Sequence, residues 1–267
     1  MLKSANTRLG WWALLLVSLA ATALNLPGHI SHAQDVVSIS PDDDAAAVVA
    51  NHPPGTTFIL EEGIHRFWRV EPRDGNTFIG EGDEGDTILS GAREIFFQPQ
   101  GQYWIAAVQP EDGLPPESSR CKPDFPRCNF TQDLYLDDFP LREVDSLDAV
   151  IPETFYFDYA QNLIYIVDDP RDYVAEISVT LDAFWGEADN VLIRNVTIEK
   201  YASPGQRGAI HGDRTTNWII DHVIVRLNHG TGIRLGEGMQ VINSKMFRNG
   251  QIGIAGLGDN VLLETHE

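Results

Sequence analysis

The sequence predicts an all-β chain wound as a right-handed parallel β-helix, in stacked coils of about 22 residues. Three observations carry this expectation. First, Asn190-Val191-Leu192-Ile193-Arg194-Asn195-Val196-Thr197-Ile198 recurs as Asn217-Trp218-Ile219-Ile220-Asp221-His222-Val223-Ile224-Val225 and as Gly238-Met239-Gln240-Val241-Ile242-Asn243-Ser244-Lys245-Met246. A fourth copy opens at Asn260-Val261-Leu262-Leu263, and the starts lie 27, 21 and 22 residues apart. Second, another element repeats in phase with the first: Gly208-Ala209-Ile210-His211, Thr231-Gly232-Ile233-Arg234 and Ile252-Gly253-Ile254-Ala255. Third, no copy is long enough to enclose a core alone. Stacked strands about 4.8 Å apart would share one interior. Each fully buried Ile or Val then contributes roughly 1.5–3 kcal/mol. The spacing and the missing Leu signature exclude leucine-rich and hexapeptide repeats.

The chain opens on a targeting pattern. Lys3 and Arg8 make a basic start, Trp11 to Leu24 an apolar stretch, and Ser31-His32-Ala33 a small-residue exit. The apolar run is shorter than the roughly 20 residues that span a bilayer. Residues 1–33 therefore read as a cleaved signal peptide, and the mature protein as secreted, extracellular or periplasmic, with no membrane span.

Residues 34–91 read as an N-terminal cap and the first coils. Val36-Val37-Ser38-Ile39 alternates as a strand. Ser40-Pro41-Asp42-Asp43-Asp44 reads as a helix start with Ser40 as N-cap, and Pro53-Pro54-Gly55 as its stop. Strands follow at Thr57–Leu60, Asn76–Ile79 and Thr87–Leu89. The acidic run Glu81 to Asp86 offers carboxylates to Ca2+ but lacks EF-hand spacing, so it reads as a solvated turn. No cofactor or metal site is otherwise expected.

Residues 92–180 differ in character, holding most of the aromatics, both cysteines and a Pro-rich loop at 110–126. Leu134-Tyr135-Leu136 with Leu141–Val144, and Phe155-Tyr156-Phe157 with Leu163–Ile166, read as antiparallel pairs. The region is expected to be a small inserted β-sandwich. In an exported protein Cys121 and Cys128 read as a disulfide pinning the loop. Residues 181–267 return to the repeats. The chain stops inside the fourth copy, which reads as a C-terminally truncated fragment. Asn195, His222 and Asn243 share one turn position, so a ladder of polar side chains is expected there and His222 reads as structural.

Gly208-Ala209-Ile210-His211 followed by Asn217-Trp218-Ile219-Ile220-Asp221-His222 resembles the strand–turn–strand run of the pectate-lyase-like β-helix superfamily. Asn228-His229-Gly230-Thr231-Gly232-Ile233 and Arg248-Asn249-Gly250-Gln251-Ile252-Gly253-Ile254 resemble loops and first strands of bacterial β-helix repeat proteins. Pro53–Phe58 with Asn76–Gly80 resembles their opening coils, and the insert is similar to that of some β-helix glycoside hydrolases. The superfamily includes lyases, hydrolases, epimerases and adhesins, so the resemblance implies fold more than chemistry.

That resemblance implies a ligand groove along one parallel sheet, across the coils. With Ile210, Ile233 and Ile254 inward, alternation turns His211, Arg234 and Ala255 outward. Asp213 and Glu237 follow just beyond these strands. His211, Arg234, Asp213 and Glu237 are the catalytic candidates, and Asn228 and His229, in the loop leading in, the substrate-binding ones. Polysaccharide lyase chemistry would use a base and a cation, His211 and Arg234. Glycoside hydrolysis would use two carboxyl groups, Asp213 and Glu237. Where pectate lyases carry Asp before Ala-Ile this chain has Gly208, which argues against calcium-dependent pectate cleavage. Arg207, Lys245 and Arg248 read as solvated faces.

The formal charge is −20. Such acidity repels nucleic acid, which is excluded as a partner, and disfavours a polyanion unless basic residues gather locally. A polysaccharide is the expected partner of a carbohydrate-active enzyme; the alternative is a non-catalytic β-helix serving as a surface-binding or structural module.

Overall fold

The computed structural model describes residues 35–108, 121–256 and 258–264. The signal-peptide reading and part of the Pro-rich loop lie outside the described residues. Three parallel sheets are visited in rotation. The first holds Val36–Ile39, Thr57–Leu60, Thr77–Gly80, Leu192–Arg194, Ile219–Asp221, Gln240–Ile242 and Leu262–Glu264. The second holds Gly63–Arg66, Thr87–Ser90, Thr197–Glu199, Ile224–Arg226 and Lys245–Phe247. The third holds Phe184–Trp185, Gly208–His211, Thr231–Leu235 and Ile254–Gly256, with Val70 bridged to Phe184.

Register explains the repeat. Phe58, Phe78, Ile193, Ile220 and Val241 superpose along the first sheet. Leu89, Ile198, Val225 and Met246 do so along the second. Along the third, Phe184, Ile210, Ile233 and Ile254 lie in one column, as the in-phase repeat predicts. The columns meet in one hydrophobic cluster, which Trp68 and Trp218 complete. The chain is mostly β, with a β-helix-like stack of parallel sheets.

The corners between strands use left-handed backbone. Asn190, Asn217 and Asn260 have φ of 58° each, and Asn195, His222 and Asn243 have φ of 54°, 53° and 51°. Asn tolerates this region better than most residues because its short amide bonds locally. The expected ladder runs differently from the expectation. Asn195 Nδ2 donates to Gly80 O at 2.9 Å, while Asn243 Nδ2 donates to Asp221 Oδ1 at 2.9 Å and His222 Nδ1 lies 2.6 Å from the same oxygen. Asp221, one residue before the corner, joins His222 and Asn243 through its carboxylate.

The helix spans Ala45–Ala50 and buries Ala45 and Val49. Its N-cap is Asp44, not Ser40: Asp44 Oδ1 accepts from Ala47 N at 3.0 Å. Ser40 is spent on its own turn, where its N and Oγ both donate to Asp43 Oδ2.

The chain leaves the coils after Ser90, between the second and third sheets of one circuit, and returns at Phe184. Between them lies an eight-stranded sheet in the order Ala92–Glu94, Ala175–Ser178, Leu134–Leu136, Phe139–Glu143, Thr154–Asp158, Leu163–Ile166, Tyr103–Ala107, Gln98–Gln100. Both expected antiparallel pairs are present. Phe139–Glu143 and Thr154–Asp158 run parallel, the one exception in this sheet. Leu134, Phe155, Ile164 and Ile177 belong to a second hydrophobic cluster, separate from that of the coils. Cys121 and Cys128 form a disulfide, with Cα atoms 5.6 Å apart.

Candidate functional site

The third sheet presents an outward column set by the inward one. Because Phe184, Ile210, Ile233 and Ile254 face the core, the next residues, Trp185, His211, Arg234 and Ala255, stack on the other face at a spacing of about 4.8 Å. His211 therefore lies between an indole and a guanidinium.

Its Nε2 is 3.2 Å from Asp213 Oδ1, in the turn that follows the strand. Its Nδ1 is buried and has no hydrogen-bond partner among the described residues. Burial pushes the His211 ring below the ordinary imidazole value; Arg207 and Arg234 push the same way, against Asp213 and Asp182. That balance favours the neutral ring. With Nε2 donating to Asp213, Nδ1 is left as a buried acceptor.

Asp182, fully buried, accepts from Arg69 Nε at 3.0 Å and from Arg207 Nε at 2.6 Å. Arg69 also lies over the Trp185 ring, 5.0 Å from its centroid. Arg207 is thus no solvated face: it neutralises a carboxylate that burial alone would not tolerate. Lys245 and Arg248 are also engaged, Lys245 with Glu84 and Arg248 with the Asp138 main-chain oxygen. Arg234, by contrast, makes no side-chain hydrogen bond or ion pair among the described residues.

Glu237 is exposed and sits one coil further along. Its N donates to Thr215 O at 3.1 Å and its O accepts from Asn217 N at 2.8 Å. Asp213 and Glu237 therefore follow consecutive strands of the third sheet, but only Asp213 touches His211. The two residues assigned to substrate binding are committed elsewhere. Asn228 is 1% exposed; its amide accepts from Tyr201 N at 2.9 Å and donates to Asn249 Oδ1 at 3.0 Å. It braces neighbouring coils and offers a ligand nothing. His229 faces the eight-stranded sheet, with Asp133 and Cys128 on its two ring nitrogens.

At Gly208 nothing larger fits. A Cβ there would lie 2.3 Å from Ile210 O and 2.4 Å from Arg234 N. Among the described residues no three His, Cys, Asp or Glu side chains gather as a metal site, and no helix is long and apolar enough to cross a membrane.

Sequence reasoning missed Trp185, Arg69 and Asp182. A signal for Trp185 was present, since Ala183-Phe184-Trp185 matches Ala209-Ile210-His211 in pattern. Asp182 carried none: its partners lie 113 and 25 residues away.

No family model matches this chain, and no curated protein matches it. Among solved structures it is similar to one described as "The complex structure of XylC with xylose", with a TM-score of 0.67 and 16% identity, covering 87% of this chain and 53% of that one. It is also similar to one described as "Glycoside hydrolase", with a TM-score of 0.52 and 10% identity, covering 82% of this chain and 67% of that one. The chain thus spans about half the length of the XylC structure. At these identities the likeness is one of fold.

Proposed function

We propose that this chain belongs to a secreted carbohydrate-active enzyme that cleaves glycosidic bonds of an extracellular polysaccharide. The reading places its groove on the outward face of the third sheet of a right-handed parallel β-helix of the pectate-lyase-like superfamily. Residues 34–91 are its cap and first coils, 92–180 an inserted β-sandwich, and 181–267 its repeats.

The observation that carries it is the stacked column Trp185, His211, Arg234 with Asp213 against His211. An indole offers an apolar face to a sugar ring, and the uncommitted Arg234 can take a sugar oxygen. In hydrolysis Asp213 and Glu237 are the carboxyl pair, and neutral His211 orients Asp213. The likeness in fold to a structure described as a glycoside hydrolase agrees with this choice. A second reading, elimination, is favoured by one feature: His211, which burial and its arginine neighbours hold toward the neutral form, stands beside Arg234 on the outward face, a base next to a cation.

The test uses the longest available form of the protein on a panel of acidic and neutral polysaccharides. New reducing ends without ultraviolet-absorbing product support hydrolysis, with Asp213→Asn and Glu237→Gln each lowering kcat at least about 100-fold. Unsaturated product lost in His211→Ala selects elimination instead. No turnover by the unaltered protein on any glycan would leave the β-helix as a non-catalytic binding or structural module.

A further inference from the structure

His229 precedes the strand Thr231–Leu235 by two residues, and its side chain is 12% exposed. Nδ1 lies 3.0 Å from Asp133 Oδ1 and Nε2 lies 3.0 Å from the Cys128 main-chain oxygen. A carbonyl oxygen only accepts, and so does an ionised carboxylate. Both ring nitrogens must therefore donate, which an imidazolium does and a neutral imidazole cannot. Asp133 leads into the strand Leu134–Leu136, and Cys128 closes the disulfide loop. One cation on the coils thus holds two points of the chain that reaches across from the eight-stranded sheet.

The packing behind this contact is under-bonded. Arg127 Nε, Thr131 Oγ1 and Gln132 Nε2 are buried without a hydrogen-bond partner among the described residues. Polar groups in that state have little to lose when the segment opens. Elsewhere the same sheet is held to the coils by ion pairs such as Lys200 to Glu176 and Arg66 to Glu176.

We propose that His229 is a proton-operated clasp: its imidazolium closes the Cys121–Cys128 loop onto the coils, and loss of that proton lets the loop open. The charge facing the ring is that of Asp133, with Arg127 and Glu143 beyond it. The coils below and above meet His229 through main chain, at Tyr201 and Gly250. Burial works against the imidazolium, but the field and hydrogen bond of Asp133 and the bond to Cys128 outweigh it, so the proton is held above the ordinary histidine value. The clasp is fully closed below that ordinary value and is lost as pH rises through the raised one. The proposal is independent of the catalytic reading, since none of its groups takes part in the proposed cleavage.

Hydrogen–deuterium exchange of the full chain tests it, with rates corrected for the intrinsic pH dependence of exchange. Protection of the amides of Phe125 and Cys128, which bond within the loop, should fall about tenfold or more as pH rises through the His229 transition. Amides of the strands Gly208–His211 and Thr231–Leu235 should not change. His229→Gln should show low loop protection at every pH, whereas Glu143→Gln should keep the step. A wild-type loop equally protected across pH, a His229→Gln loop as protected as wild type, or a step abolished by Glu143→Gln would each overturn the clasp. If His229→Gln does not fold, imidazole titration by NMR on the unaltered protein decides: a His229 value at or below that of a free imidazole overturns it as well.

Discussion

Lys200 Nζ lies 2.5 Å from the Glu176 carboxylate, and both side chains are less than one-tenth exposed. The pair joins a left-handed corner of the coils, where Lys200 has φ of 59°, to the eight-stranded sheet. Burial opposes the ammonium charge, but Glu199, Glu176 and Asp138 outweigh it and hold the Lys200 proton above the ordinary lysine value. Lys200→Met should cost about 3–5 kcal/mol in urea denaturation, because Glu176 is left buried with only Arg66 opposite. The double variant with Glu176→Gln should recover part of that loss; no recovery would mean the pair is not coupled.

The inward column of the third sheet sets the stability of the stack. Ile233 is fully buried between Ile210 and Ile254. Ile233→Ala should cost about 2–5 kcal/mol, the range for a large core side chain removed from tight packing. Ile224→Ala, on the half-exposed face of the second sheet, should cost clearly less. Equal losses in equilibrium unfolding would contradict the assigned faces.

Gly208 is required by contact and not by backbone conformation. Its added Cβ would press on Ile210 O and Arg234 N, both main-chain atoms that cannot move alone. Gly208→Ala should destabilise by about 1–3 kcal/mol through overpacking, read as a lower thermal midpoint. An unchanged midpoint would show that the coils separate at that point without cost.

Glu143 should make the protein less stable at high pH. Burial raises its pKa from 4.5 to about 9, against the opposing charge of Arg127. The folded chain therefore keeps a proton that the unfolded chain gives up above 4.5. This contribution to stability is fully present below pH 4.5 and declines as pH rises toward about 9. His229 acts with the same sign. Thermal midpoints measured from pH 5 to 9 should fall, and Glu143→Gln should flatten the slope; a midpoint that rises over this range would refute the assignment.

Much of the β-stack was legible because its strands follow a rule written along the chain. An inward position must be apolar in every coil, so Ile210, Ile233 and Ile254 recur in phase and their outward neighbours His211 and Arg234 can be named without coordinates. The same rule contains the match of Trp185 to His211, obscured by the long excursion that precedes it. Asn228 misled because an Asn before His and Gly reads as an open loop, whereas its amide is consumed between coils. Ser40 misled because Asp44, four residues on, accepts the Ala47 N–H and takes the cap, while Ser40 donates to Asp43.

What the sequence by itself determined is periodicity: which residues face in, which face out, and that successive copies stack. What only the tertiary structure decided is who meets whom between the coils and the excursion of 92–180: Glu176 with Lys200, and His229 with Asp133 and Cys128. The physical reason is that hydrophobic burial imposes a repeating local pattern, whereas an ion pair needs only two groups to arrive at one place. That arrival depends on how two separate hydrophobic cores dock, and no local stretch of either one records it.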